Sequence, residues 1–120
     1  MPVISIVDDD PSVRRALRRL LETVGYRVEV FASADDFLAS APIGRVACLV
    51  LDIRLDGMTG LALQERLAAE HSAIPVIFIT AHDDAPTRLR VQQAGAAAYL
   101  PKPFDGATLL AAVSGAAGPA

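Results

Sequence analysis

The chain has one cysteine, Cys48, two histidines, His71 and His82, and no apolar run long enough to span a bilayer. A single cysteine excludes an internal disulfide, and these three residues lack the spacing of a zinc site. The start of the chain also lacks the basic residues, long apolar stretch and cleavage site of a secretory signal. We therefore expect a cytoplasmic protein with no membrane partner.

An excess of positive charge is also missing, since the formal net charge is −3. This balance gives no general electrostatic attraction to DNA, RNA or anionic lipid, so we expect no direct nucleic-acid binding by this chain. Lysine is nearly absent: Lys102 is the only one, and every other basic side chain is an arginine. Because an ammonium group is a compact point charge, this exception marks Lys102 as a candidate site residue.

The length of 120 residues and the hydrophobic content of 52% fit one compact domain. Apolar or alternating segments predict strands at 3–7, 27–31, 47–51, 75–79 and 97–100. Helices are predicted to follow the N-caps Asp10, Ser33 and Asp105 and to cover 61–70 and 85–94. Strands that alternate with helices in this way predict a single α/β domain, with a parallel sheet and helices on both faces.

The first and last helices carry two further signals. Four arginines lie opposite the apolar positions of the first helix and are interpreted as its solvent-facing side: Arg14, Arg15, Arg18 and Arg19. Near the end of the chain, Gly115, Gly118 and Pro119 predict the end of the last helix. We therefore expect a domain at 1–114 and a linker-like tail at 115–120.

Polar side chains follow four of the predicted strands: Asp8 and Asp9, then Asp52, Thr80 and Lys102. The carboxyl ends of parallel strands share one edge of the sheet, where open α/β sheets bind their ligands. Three carboxylates gathered there would repel by roughly 4 kcal/mol per pair at about 4 Å and an effective dielectric of about 20. A divalent cation would relieve this repulsion, and Mg²⁺ suits oxygen ligands together with a phosphate.

The same residues are suited to phosphoryl transfer. A carboxylate such as Asp52 can attack phosphorus, while Thr80 and Lys102 can hold phosphoryl oxygens. Each group also has a plainer interpretation when it is taken alone. The acidic run before the first helix can be a solvated cap, and Thr80 can be a satisfied loop hydroxyl. The hypothesis therefore depends on the convergence of these residues.

Four short motifs mark the ends of the predicted strands: Val7-Asp8-Asp9-Asp10, Leu51-Asp52-Ile53-Arg54, Ile79-Thr80-Ala81 and Tyr99-Leu100-Pro101-Lys102-Pro103-Phe104. Each motif is weak alone, but the four occur in order. Together they resemble the receiver domains of response regulators, the CheY-like superfamily, and most of all its FixJ-like nitrogen-fixation regulator group. The resemblance covers the whole chain and implies one doubly wound, five-stranded sheet with the flavodoxin-like order 2-1-3-4-5.

The resemblance also implies a site and a partner. Asp52 would accept a phosphoryl group from the phosphohistidine of a sensor histidine kinase. Asp9 and Asp52 would bind Mg²⁺ directly, Asp8 would act largely through water, and the backbone carbonyl of Arg54 would complete the protein ligands. The chain would then be a signalling domain of a two-component system rather than an enzyme, catalysing at most its own phosphorylation and dephosphorylation.

The switching residues are implied by the same resemblance. Thr80 would move toward the phosphoryl group, the backbone of Ala81 would contact it, Tyr99 would change its ring position and Lys102 would pair with a phosphoryl oxygen. The Lys102-Pro103 peptide would be cis. The output would be the face formed by helix 4, strand 5 and helix 5, which is also a candidate surface for a phosphorylation-dependent homodimer.

The segment after Asp52 departs from the family pattern in one place. Leu55-Asp56-Gly57 stands where receivers usually carry Met-Pro-Gly, so the loop after Asp52 loses a proline and gains an acid. We expect Asp56 to change modestly one of two properties, the affinity for the metal or the lifetime of the phosphoryl group.

Other functions are weighed against these features. A magnesium-dependent phosphohydrolase with an aspartate nucleophile is the alternative, but such enzymes usually carry a second acid where this chain has Arg54, and they have an inserted cap. A flavin- or nucleotide-binding domain would need a glycine-rich loop after the first strand, and none is present. Within signalling, a stand-alone receiver and the receiver half of a transcription factor both remain open.

Overall fold

The computed structural model describes residues 2–41 and 43–120. The strands are β1 (Val3–Val7), β2 (Arg27–Phe31), β3 (Val46–Asp52), β4 (Val76–Thr80) and β5 (Ala98–Pro101). The helices are α1 (Pro11–Thr23), α2 (Ala34–Ser40), α3 (Gly60–Ala69), α4 (Ala85–Gln93) and α5 (Gly106–Ala117). Each predicted strand and helix is present. The strands β1 and β2 have the expected bounds, and the ends of the other elements differ from the expected ones by no more than three residues.

All five strands form one sheet in the order β2-β1-β3-β4-β5. Every neighbouring pair is parallel. The expected doubly wound sheet with order 2-1-3-4-5 is therefore confirmed. This order places β1 and β3 side by side at the centre, with the end of β1 at Val7 in register with Leu51 of β3.

The sheet separates two apolar clusters, as the alternation of side chains along a strand requires. On one face, Cys48 of β3 packs in a cluster with Leu17 of α1 and Leu109 of α5. On the other, Leu49 packs in a cluster with Phe37 of α2 and with residues of α3 and α4. Helices therefore cover both faces, and burial raises the pKa of the Cys48 thiol to about 12, as suits a residue of the core.

Each helix begins at a side-chain cap, which accepts a backbone N–H of the first turn. The expected caps Asp10, Ser33 and Asp105 are confirmed, and Thr59 and Asp84 cap α3 and α4 in the same way. Among the described residues, no helix combines the length and the apolar character needed to cross a membrane.

The last helix ends later than the sequence predicted. Gly115 was expected to end it, but α5 continues to Ala117. Ala117 packs against the cluster between the sheet and α1, and the hydroxyl of Tyr26 donates to the carbonyl of Gly118 at 2.6 Å. These contacts outweigh the cost of a glycine within a helix, which is about 1 kcal/mol. The division into a domain at 1–114 and a tail at 115–120 stays a prediction.

Replacing Gly115 by alanine is expected to raise the free energy of unfolding by about 0.5 to 1 kcal/mol. Gly115 is exposed, and a Cβ there would meet nothing within 4 Å. Gly118→Ala serves as the control, because Gly118 has φ +81°, so no gain is expected there. Urea unfolding of both variants measures the effect, and a Gly115→Ala protein no more stable than the wild type would contradict it.

Candidate functional site

Three carboxylates gather where β1 and β3 end. One ligand oxygen from each of Asp8, Asp9 and Asp52 lies within 4.8 Å of the others. Asp8 follows Val7 and Asp52 follows Leu51, and these two strand residues are paired across the sheet. Asp8 is completely buried and Asp52 is 6% exposed, whereas Asp9 faces solvent. The cluster thus combines two buried acids with one accessible acid.

The single lysine of the chain joins this cluster from the end of β5. The ammonium nitrogen of Lys102 donates to Oδ2 of Asp8 at 2.9 Å and to Oδ2 of Asp52 at 3.1 Å. One positive charge therefore faces three carboxylates. This excess of negative charge at buried positions favours a further cation.

Burial and the Asp8 carboxylate raise the pKa of Asp52, against the opposing effects of Lys102 and a backbone N–H. Burial acts to lower the pKa of Lys102, but its contacts with Asp8 and Asp52 outweigh burial and hold that pKa above its ordinary value. The ammonium is thus stabilised in its charged form, while ionisation of Asp52 is opposed. An added positive charge beside Asp52 would favour its ionised form.

The loop after β1 is fixed by hydrogen bonds to Asp8. Its Oδ1 accepts the N–H of Asp10 at 2.9 Å, and its carbonyl oxygen accepts Nη1 of Arg14 at 2.7 Å. Arg14 is half-buried, whereas the other three arginines of α1 are exposed. The interpretation of Arg14 as solvent-facing is therefore wrong. Arg14 lies one helical turn after the cap, and its side chain reaches back to the loop.

The loop after β3 presents its backbone to the cluster. The N–H of Arg54 donates to Oδ1 of Asp52 at 3.0 Å, so both oxygens of this carboxylate are engaged. The side chains of Arg54 and Asp56 are exposed. The carbonyl of Arg54 as a metal ligand stays a prediction.

Thr80 and Ala81 lie at the end of β4. Thr80 is 1% exposed, and its hydroxyl oxygen accepts the N–H of His82 at 3.0 Å. Its carbonyl accepts the N–H of Lys102 at 2.6 Å, which ties the ends of β4 and β5 together. Ala81 and His82 are exposed. The contacts of Thr80 and Ala81 with a phosphoryl group stay predictions.

Tyr99 and Pro103 belong to the β5 segment. The Lys102-Pro103 peptide is cis, as the resemblance implied. The half-buried Tyr99 donates its hydroxyl to Oδ1 of Asp83 at 2.9 Å. The contact of Tyr99 with Asp83 could not be predicted from the sequence, because no spacing pattern connects two residues that lie 16 positions apart in different segments.

The donor set fits Mg²⁺. The ion prefers oxygen ligands and commonly takes one or two carboxylates together with a phosphate oxygen. Asp9 and Asp52 supply such oxygens, and the completely buried Asp8 carboxylate adds negative charge beside them. The three carboxylates among the proposed metal ligands are thus brought together.

Comparison with known proteins agrees with this architecture. Residues 4–114 match the family model of the response regulator receiver domain. Nodulation protein W of Bradyrhizobium diazoefficiens is 44% identical over 111 residues, which cover 92% of this chain and 49% of that protein. The chain spans about half the length of the first curated relatives that it matches.

Solved structures give the same result. The response regulator StyR matches with a TM-score of 0.90 and 46% identity, covering 97% of this chain and 59% of the other. FixJ-N matches with a TM-score of 0.89 and 36% identity, covering 98% and 94% of the two chains. With its sheet order and its cluster of acids and lysine, this chain belongs to the response regulator receiver domain family.

Proposed function

We propose that Asp52 accepts a phosphoryl group from the phosphohistidine of a sensor histidine kinase, and that the chain thereby acts as a phosphorylation switch. The observation that carries this proposal is the convergence on Asp52: a buried carboxylate with two further acids within 4.8 Å and the ammonium of Lys102 at 3.1 Å. A structural ion pair needs one acid and one base. A cluster of three acids with one lysine, which contacts two of them, is better explained by a site that receives a metal and a phosphoryl group.

In the proposed transfer, a carboxylate oxygen of Asp52 forms a bond to phosphorus while the bond from phosphorus to the histidine nitrogen breaks. No general base is required, because the carboxylate attacks in its ionised form. Asp9, Asp52 and the carbonyl of Arg54 would hold Mg²⁺, with Asp8 acting through water, and the bound ion would supply positive charge beside the phosphoryl oxygens. Lys102, which already contacts Oδ2 of Asp52, is placed to pair with one of those oxygens.

The phosphoryl group would act as a switch through its charge. It adds between one and two negative charges and several strong hydrogen-bond acceptors. Lys102 would then divide its contacts between Asp8 and the new group, and the Thr80 hydroxyl and the N–H of Ala81 would turn toward it. The response would reach the face formed by α4, β5 and α5, through which a homodimer would form. Leu89, a residue of α4, is 53% exposed.

The output would be control of transcription by a longer protein. Relatives matched over about half their length include the transcriptional regulatory protein FixJ of Azorhizobium caulinodans, whose name states that role for that protein. In this proposal the present chain contacts the kinase in the cytoplasm, and another part of the protein contacts DNA. The chain would catalyse only its own phosphorylation and dephosphorylation.

The test is the intact mass of the protein after incubation with acetyl phosphate and Mg²⁺. One phosphoryl adduct is expected on the wild type, and none on Asp52→Asn or when the metal is withheld. Asp36→Asn is the matched control, because Asp36 is an exposed acid on α2 and should leave the adduct unchanged. A folded wild type without an adduct would refute the proposal. Repeated turnover of phosphate esters would favour a phosphohydrolase instead.

A further inference from the structure

The hydroxyl of Tyr99 is held by Asp83, and Asp83 in turn pairs with Arg88. Both charged residues lie outside the cluster of acids. The Tyr99 hydroxyl donates to Oδ1 of Asp83 at 2.9 Å, and the same oxygen lies 3.3 Å from Nε of Arg88. Arg88 is on α4, Tyr99 is on β5 and Asp83 is in the loop between β4 and α4. One carboxylate oxygen therefore joins the loop before α4 to α4 and β5, two elements of the proposed output face.

The tyrosine ring lies beside an apolar groove of about 300 Å³ between α4 and β5, lined in part by Val91, Ala96 and Ala98. Burial, followed by the hydrogen bond to Asp83, raises the pKa of the Tyr99 phenol to about 12. A phenol is protonated at neutral pH even at its ordinary pKa of about 10, and the raised pKa extends to higher pH the range in which it donates to the carboxylate. Asp83 fixes the position of the hydroxyl, and the groove borders the ring.

Asp83 is also close in the chain to Thr80. Only two residues separate them, and the hydroxyl oxygen of Thr80 accepts the N–H of His82 between them. The segment is anchored at Thr80 by β4 and at Asp84 by the cap of α4. Turning the Thr80 hydroxyl toward Asp52 would break its hydrogen bond with the N–H of His82 and so free this short segment to displace Asp83. Displacement of Asp83 would in turn release the hydroxyl of Tyr99.

We infer that Asp83, supported by Arg88, is a positioning residue that holds Tyr99 and the Thr80 segment in the unphosphorylated arrangement. The inference rests on the proposed function, since it assigns a restraint on the proposed switch. An interaction present in only one of two states biases the equilibrium toward that state. Removing it therefore makes the other state easier to reach and tightens the binding of any ligand that selects that state.

The expected effect is modest because the contact is partly open to water. The side chains of Asp83 and Arg88 are 36% and 57% exposed. A hydrogen bond to a charged group at such a position should change the ratio of the two states by about two- to fivefold. Loss of Asp83 should have the larger effect, since Asp83 contacts both partners. Loss of Arg88 should act in the same direction but more weakly.

The experiment measures the dissociation constant of beryllofluoride, a mimic of the phosphoryl group, in the presence of Mg²⁺. Asp83→Asn, Asp83→Ala and Arg88→Gln are compared with two controls, Asp36→Asn on α2 and Arg90→Gln on α4. Arg90 is exposed and makes no ion pair with a carboxylate in the part of the chain that the structure describes. Fluorine resonances of 3-fluorotyrosine report on Tyr99, with Tyr26 as the internal reference.

Two results are expected together. The Tyr99 resonance of the Asp83 variants should shift before any ligand is added, and their dissociation constant should fall about two- to fivefold, with the controls unchanged. Equal or weaker binding by the Asp83 variants, while the wild type still binds through Asp52, would overturn the inference alone. A wild type that binds no beryllofluoride would overturn the proposed function and, with it, this inference.

Discussion

Gly60→Ala is expected to lower the free energy of unfolding by about 3 kcal/mol, although alanine is the better helix former. Gly60 is the first residue of α3, and its N–H donates to the carbonyl of Ile53 at 2.9 Å. An added Cβ would overlap the carbonyl oxygen of Asp52 and lie 2.9 Å from Cα of Ile53. These are backbone atoms at the end of a central strand, so no flexible side chain can turn aside.

Gly44→Ala is the matched control for this prediction. A Cβ at Gly44 would meet nothing within 4 Å, so the change there should stay within about 0.5 kcal/mol. Urea unfolding of the two variants measures the difference. Gly60→Ala should also slow formation of the phosphoryl adduct, because the contact displaces the backbone of the proposed acceptor. A Gly60→Ala protein as stable as Gly44→Ala would show that helix α3 shifts at little cost.

Much of the fold could be predicted from the sequence because the signals are local. Strand 27–31 starts with alternating charged and apolar residues, and its one buried residue is the apolar Val28. Strand 47–51 is apolar throughout because helices cover both its faces. The caps at Asp10 and Ser33 stand directly before helical patterns. Asp84 was not identified as a cap, although the helix predicted over 85–94 begins directly after it, as α4 does.

The candidate site could be predicted in part for a topological reason. Residues that follow parallel strands must meet at one edge, so Asp8, Asp52 and Lys102 could be grouped before any distance was known. The contacts that hold the group could not be predicted in this way. The hydrogen bond from Arg14 to the carbonyl of Asp8 depends on how closely α1 approaches its preceding loop. Such a distance is set by the packing of the helix against the loop and cannot be predicted from the spacing of residues in the sequence.

The end of α5 shows a similar limit. The glycines Gly115 and Gly118 correctly indicate weak helix propensity at the end of α5. Of these two, Gly118 alone has a positive φ. The last turn persists because Tyr26, which lies 92 residues earlier, donates to the carbonyl of Gly118. A contact between such distant segments overrides a local preference of about 1 kcal/mol.

Lys102→Met is expected to destabilise the metal-free protein by about 3 kcal/mol, because it leaves the buried carboxylates of Asp8 and Asp52 without their cation. The control is Arg66→Met, which removes an exposed pair with Glu70 and should cost less than about 1 kcal/mol. Unfolding in urea with a chelator at pH 7 measures both. A loss no larger than that of the control would show that water already screens the cluster.

The stability of the Lys102→Met protein should depend more strongly on pH and on Mg²⁺ than that of the wild type. Asp52 has a pKa above its unfolded value, so its contribution to stability is greatest at low pH and falls as the pH rises from the unfolded through the folded pKa. Lys102 acts to lower the pKa of Asp52. Without Lys102 the folded pKa is higher, so the loss of stability extends to higher pH. Mg²⁺ replaces the missing charge and binds only the folded site, so it should stabilise Lys102→Met more than wild type. If saturating Mg²⁺ stabilised both proteins equally, Lys102 and the metal would not share these carboxylates.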